Sequence, residues 1–231
     1  MGSIWLDGRS GAYPALDMVI RSAGVPIKLY SGWQTRSRSS GGFTQLLGIV
    51  CHHTASPSSQ GFQSCWDYLA VGHPDSPVAN MILGRDGTVG VHAAGASNHA
   101  GKGGPWNMSR GTVPLDSANS YCIGIEAQND GVGENWSPAM MESYEKMCAA
   151  MCSAYGLQAS DCIAHREWAP SRKIDPWGGN QATAGFVYTG PRMWPMRGGQ
   201  GFCDGVARRM SGGPDTGDED FVFPWFATRS A

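Results

Sequence analysis

Short apolar runs alternate along the chain with long polar, glycine-rich connections, and the spacing inside the runs changes type. In "YPALDMVIRSAG", Val19 and Ile20 lie three and four residues after Leu16, Pro14 suits a first turn and Gly24 a stop, which predicts a short helix. "LLGIVCHH" is a continuous apolar run closed by turn formers and predicts a buried strand. A second helix is expected in "SQGFQSCWDYLAVG", where Phe62, Cys65, Trp66 and Leu69 keep helical spacing up to Gly72. "PVANMILGRDGTVGVHA" reads as two strands joined at Asp86-Gly87, a strong hairpin signal. "SYCIGIEAQN" alternates, which puts Cys122, Gly124 and Glu126 on one face and Tyr121, Ile123 and Ile125 on the greasier one.

The clearest helix is "SPAMMESYEKMCAAMCSAYG", with Ser137 as N-cap, Pro138 in the first position, a stripe of Met140, Tyr144, Met147 and Met151, and Gly156 as the stop. The methionines read as core filler. "DCIAHREW" predicts a short strand ending at His165, followed by an irregular loop. Residues 177 to 199 are rich in Gly, Pro and Trp, "GQGFCDGVARRMSGG" allows one last helix, and "PDTGDEDFVF" reads as an acidic tail or linker. The expected division is an N-terminal extension with a short helix (1–43), a main domain (44–212) and the tail (213–231).

Composition narrows the function classes. Charged residues make up 16%, below the roughly 25% usual for soluble domains, and the 33 glycines are about twice the ordinary share, which implies long ordered loops. A formal charge of −2 and the lack of any Lys/Arg cluster remove the electrostatic footprint of a nucleic-acid binder. No window approaches the apolar length needed to span a bilayer, so no membrane insertion is expected. "MGSIWLDGRSGAYPALD" lacks a basic n-region and a long apolar h-region, and nothing in it directs export. Seven cysteines without zinc-ribbon spacing read as small buried hydrophobes in a reducing compartment.

The chemistry-bearing residues end or interrupt the apolar strands: His52 or its neighbour His53, Glu126 and His165, with Lys173 and Asp175 eight and ten residues beyond His165. Strand ends beside irregular loops are where reactive groups concentrate. Two histidines and a carboxylate suffice for a catalytic zinc ion, which takes three protein ligands and keeps a position open; a further carboxylate would then take a proton from water. A cysteine nucleophile is disfavoured, because alternation turns Cys51 away from His52 and no cysteine sits at a helix N-terminus.

In order along the chain, "IVCHHTAS", "MILGRDGTV", "NHAGKG", "IGIEAQN" and "HREWAPSRKIDP" resemble the motifs of the zinc-dependent N-acetylmuramoyl-L-alanine amidases, a family of phage lysins, bacterial anhydromuropeptide amidases and animal peptidoglycan recognition proteins. The resemblance covers about residues 44 to 180, and "YSGWQTRSRSSGGF" further resembles lysins of phages that infect actinobacteria. It implies an α/β fold, a central mixed β-sheet flanked by helices with zinc in a cleft at one edge. It makes His52, His165 and Asp175 the ligands of one Zn2+ ion, Glu126 the general base or acid, Lys173 the polariser of the carbonyl oxygen, and His99 and Asn98 the substrate contacts. His53 is left as a bracing residue. Where some family members carry a catalytic Tyr before the hairpin, this chain has Ala79. The implied partner is bacterial peptidoglycan, acted on by a monomeric endolysin that stays in the host cytoplasm until its release to the wall. A recognition protein without catalysis and a cytoplasmic muropeptide-recycling amidase are the alternatives.

Overall fold

The computed structural model describes residues 2–11, 13–176 and 202–213. Its strands are β1 (Ile27–Leu29), β2 (Gly48–His53), β3 (Met81–Leu83), β4 (Val89–Val91), β5 (Trp106–Met108), β6 (Gly111–Val113), β7 (Cys122–Ala127) and β8 (Cys162–Ala164). Its helices are α1 (Leu16–Ser22), α2 (Phe62–Asp67), α3 (Pro138–Tyr155), α4 (His165–Trp168) and α5 (Phe202–Met210). Six strands form one sheet in the order β1-β4-β3-β7-β2-β8, while β5 and β6 pair as a separate hairpin. Every neighbouring pair in the large sheet is parallel except β3 with β4, which the Asp86-Gly87 turn joins as expected. The fold is therefore the mixed α/β sheet that the sequence implies.

β2 and β7 are buried along their whole length, as strands covered on both faces must be. Ile49 and Cys51 of β2, with Ile123, Ile125 and Ala127 of β7, join the main apolar cluster beneath α3. There Met140, Tyr144, Met147 and Met151 fill the interface, each fully buried side chain contributing about 1.5–3 kcal/mol. The opposite face packs Leu47, Val50, Cys122 and Ile163 against Trp168 and Met108. α3 begins where the sequence places it: the Ser137 hydroxyl accepts from the Met140 N–H at 3.1 Å, and Gly156 stops the helix at a φ of 68°. α5 docks on α3 through buried Glu145, whose Oε2 lies 3.0 Å from Arg209 Nε.

Several expectations are sharpened. Leu6, Leu16, Ile20, Trp33 and Phe43 belong to the same cluster as α3, so the first 43 residues share the core of the main sheet and supply its edge strand β1. β1 and the β5–β6 hairpin have only three residues per strand, too few for alternation to register. β8 ends at Ala164, one residue earlier than the pattern predicts, because the Glu167 carboxylate accepts from the Ala164 N–H at 2.7 Å and opens α4 at His165. All seven cysteines are free thiols and six are buried. Among the described residues no helix is long and apolar enough to cross a membrane. The segment 177–199 and the acidic residues 214–231 lie outside the described residues.

His92 links this packing to pH. Its Nδ1 accepts from Trp66 Nε1 at 3.2 Å and its Nε2 donates to the Val78 carbonyl at 3.0 Å. Burial pushes its pKa down to about 4 from 6.5. The unfolded chain therefore binds the extra proton between those values, so stability rises with pH across that window and is lost as pH falls through it. His92 contributes on the order of 3 kcal/mol there. Chemical denaturation across this pH range should give a shallower slope for His92→Gln than for the parent chain; equal slopes would assign the pH dependence elsewhere.

Candidate metal centre

Register across three parallel strands creates the site. β2 and β7 pair with His52 opposite Glu126, and β2 and β8 pair with Cys51 opposite Ala164. The next residue on β2 is His52 and the next after β8 is His165. Three polar side chains thus stand side by side where the sheet's apolar rows stop. Asp175 arrives from the loop after α4, which is closed back on the helix by the Arg166 N–H donating to the Asp175 carbonyl at 2.8 Å.

His52 Nδ1 and His165 Nδ1 lie 2.9 Å apart, and Asp175 Oδ2 lies 3.1 Å from the first and 2.9 Å from the second. All three residues are buried, and they are the metal-competent group found among the described residues. Their protons can be placed by following each ring outward. His165 Nε2 is 2.8 Å from the Ala100 carbonyl, which can only accept, so Nε2 carries the hydrogen and Nδ1 a lone pair. His99 Nε2 is 3.0 Å from the Cys122 carbonyl, which fixes its hydrogen in the same way. His99 Nδ1 is then an acceptor, and it lies 2.9 Å from His52 Nε2, so His52 also turns a bare Nδ1 inward.

With neutral rings, two nitrogen lone pairs and a carboxylate oxygen face one another with no hydrogen between them. That arrangement is repulsive until a cation sits among them, and two imidazoles plus one carboxylate, with a position left open, suit a zinc ion. The donor set fits the metal that the sequence implies. Burial, then the neighbouring His165, pushes His52 down to about 4, which favours the neutral ligating form. For Asp175, burial acts upward, but any proton the rings take up on Nδ1 is donated to its Oδ2, and such bonds from His165 and His52 hold the carboxyl well below the ordinary range.

Glu126 has the opposite character. It is 9% exposed, yet its Oε2 has no hydrogen-bond partner. Burial, then the charge of Asp175, raises its pKa well above the ordinary value, with the Lys173 ammonium pulling the other way. Such a carboxyl is poised to exchange a proton within the cleft. Lys173 is half-buried in the loop that carries Asp175, its N–H bonded to the Ala169 carbonyl at 2.9 Å.

The remaining expected residues are placed apart from this group. His99 stands behind His52 with both ring nitrogens engaged, and the Asn98 amide donates to the Asp75 carbonyl at 3.0 Å. His53 faces the 129–134 loop, where Gly131, at a φ of 74°, passes so close that a Cβ would come within 2.4 Å of the ring. Ala79 is buried at a φ of 65°. Sequence reasoning missed the Ala100 and Cys122 carbonyls, since a backbone acceptor leaves no mark on residue type.

A model of the family described as N-acetylmuramoyl-L-alanine amidase matches residues 42–178. The chain belongs to this family. The part of the amidase fold so matched begins just before β2 and ends just after Asp175, and it includes every side chain that converges here. No curated protein matches the sequence. Among solved structures, a selenomethionine derivative of AmpD is similar at 18% identity, covering 66% of this chain and 87% of its own, with a TM-score of 0.51. The endolysin amidase LysCS of Clostridium intestinale URNW is similar at 16% identity, over 69% of this chain and 95% of its own, with a TM-score of 0.47. AmiD of E. coli, solved with anhydro-N-acetylmuramic acid-L-Ala-D-gamma-Glu-L-Lys, is similar at 22% identity over 66% of this chain and 61% of its own, with a TM-score of 0.44.

The two adjacent histidines of this amidase-family chain should separate cleanly on metal analysis. His52→Ala is expected to lose zinc on purification and His53→Ala to retain it, as measured by elemental analysis. The reverse result would move the ligand one residue along β2.

Proposed function

We propose that the protein is a zinc-dependent amidohydrolase that cleaves the amide between the lactyl group of N-acetylmuramic acid and L-alanine in bacterial peptidoglycan. We further propose that it acts as a phage endolysin, held in the host cytoplasm until it reaches the wall. One observation carries the catalytic reading: a proton-free set of two imidazole nitrogens and a carboxylate lies beside a buried carboxylate without a partner, on the adjoining strand at the same level. Family membership supplies the bond, and the likeness of residues 30–43 to lysins of actinobacterial phages supports the endolysin role.

Zinc held by His52, His165 and Asp175 would supply a Lewis acid that polarises the scissile carbonyl and acidifies water toward a pKa of roughly 7. Glu126 orients the attacking water and accepts its proton on Oε2, the oxygen no other group occupies. The same carboxyl then returns a proton to the departing alanine nitrogen, a transfer its raised pKa favours. Lys173 meets the negative charge that develops on the carbonyl oxygen, an interaction worth about 3 kcal/mol. The outer hydrogen bonds to His99 and Ala100 keep both ligand rings from turning while charge builds.

The test is mass spectrometry of purified peptidoglycan after digestion, with and without a chelator. New N-terminal alanine, suppressed by the chelator, is expected. Glu126→Gln should keep its zinc and lose about 10²–10⁴ in turnover, the range for removing a general acid–base. Digestion by that variant at the parental rate would remove Glu126 from the chemistry, and cleavage at any other bond would overturn the proposed activity.

A further inference from the structure

The segment 98–102 supplies the outer hydrogen-bond acceptor for both candidate histidine ligands, from two consecutive residues. His99 Nδ1 accepts from His52, and the Ala100 carbonyl accepts from His165. A backbone that rotated here would disturb both rings at once. Two side chains prevent that rotation. Asn119, in the turn just before β7, turns one oxygen toward two successive amides: Oδ1 accepts from the His99 N–H at 2.9 Å and from the Ala100 N–H at 2.7 Å. Arg172 reaches from the other side, its Nη2 donating to the Ala100 carbonyl at 2.8 Å and to the Lys102 carbonyl at 2.6 Å.

We infer that Asn119 and Arg172 are positioning residues that hold the 98–102 segment as a frame, fixing which ring nitrogen His52 and His165 present to the metal. His99 is accordingly part of the frame, with both ring nitrogens committed to it. The inference rests on reading His52, His165 and Asp175 as metal ligands.

The geometry around His99 supports this assignment independently of Asn119 and Arg172. Its ring lies flat over Gly124 of β7, where an added Cβ would fall 2.5 Å from the ring's Cγ, and its Nε2 is tied to the Cys122 carbonyl of the same strand. The strand that carries Glu126 therefore also sets the plane of the ring that orients His52. Arg172 lies three residues before Asp175, so a single loop delivers the carboxylate and braces the acceptor of a different ligand. Outer-shell hydrogen bonds of this kind fix the tautomer of a ligating histidine, and their loss weakens metal affinity by about 10–100-fold. Removing the Asn119 oxygen leaves two amide hydrogens without an acceptor and frees the His52 Nε2–H from a fixed direction; the ring can then place its hydrogen on Nδ1, where it blocks ligation.

Two measurements on the folded 231-residue chain test this. Nitrogen-15 correlation spectra of the metal-free protein read each ring's tautomer, and zinc affinity is measured by competition with a chromophoric chelator. In the parent chain His52, His99 and His165 should all be the Nε2–H form. Asn119→Ala and Arg172→Met should mix the tautomers and weaken zinc binding by about 10–100-fold, while Asn119→Asp, which keeps the accepting oxygen, should restore both. Gly124→Ala, which displaces the His99 ring from beneath, should disturb His52 and spare His165. Arg172 is largely exposed, so its variant remains informative if Asn119→Ala does not fold. Parental tautomers and parental zinc affinity in Arg172→Met and a folded Asn119 variant would overturn the frame. Shifted tautomers in a chain whose parent binds no zinc would uphold the frame and overturn the metal reading.

Discussion

Everything in the cleft depends on the register of β2 between β7 and β8. Because side chains alternate, the level that sends Cys51 and Ile125 into the core beneath α3 is followed at once by the level that sends His52 and Glu126 outward. A slip of β2 by one residue would put an imidazole among the methionines of α3 and a thiol in the cleft. The large apolar face of the sheet thus enforces the polar site at its end, and the energy that holds the site together is mostly that of side chains that never touch it. The same register carries through β8, where α4 starts one residue beyond the last strand pair and brings His165 to the level of His52.

Electrostatics then divide the two carboxylates of the site. Asp175, facing two imidazoles, is held below the ordinary carboxylate range, whereas Glu126, equally removed from solvent but with no donor on Oε2, is pushed above it. Their environments push the pKa values of the two groups apart, as in sites where two carboxyl groups take different roles. Lys173 sits near enough to temper Glu126 without pairing with it in the way the histidines pair with Asp175.

Much of this was legible in the sequence, and the reasons are local. The strands β2 and β7 and the helix α3 have enough residues for alternation, capping or helical spacing to accumulate, the short β3–β4 hairpin is marked by its Asp86-Gly87 turn, and the order of motifs from His52 to Asp175 pointed to the family. β1 and the β5–β6 hairpin were not legible, since three residues of strand carry no period and their existence depends on neighbours distant in the chain. The packing of His99 was also hidden. The motif resemblance gave it as a substrate contact, and only the fold shows it behind His52 on the floor that Gly124 leaves open. Ala100 carries no chemical signal at all, because what matters is its carbonyl. The N-terminal 43 residues read as an extension because they precede the first long strand and its motifs, but Leu6, Trp33 and Phe43 are each matched to a place in the main core.

The chain of hydrogens from His52 through His99 to the Cys122 carbonyl also constrains how this site can change over evolutionary time. His99 Nδ1 is a buried acceptor whose donor is His52. Exchanging His52 for a thiol, which would make a softer metal site, removes that donor and leaves the acceptor unsatisfied at about 1–3 kcal/mol. His99 would have to change in the same step, and any larger residue put in its place would meet the floor at Gly124. Change at this candidate metal site is therefore opposed as a block, by His99 and the Cys122 carbonyl as well as by the donor set itself.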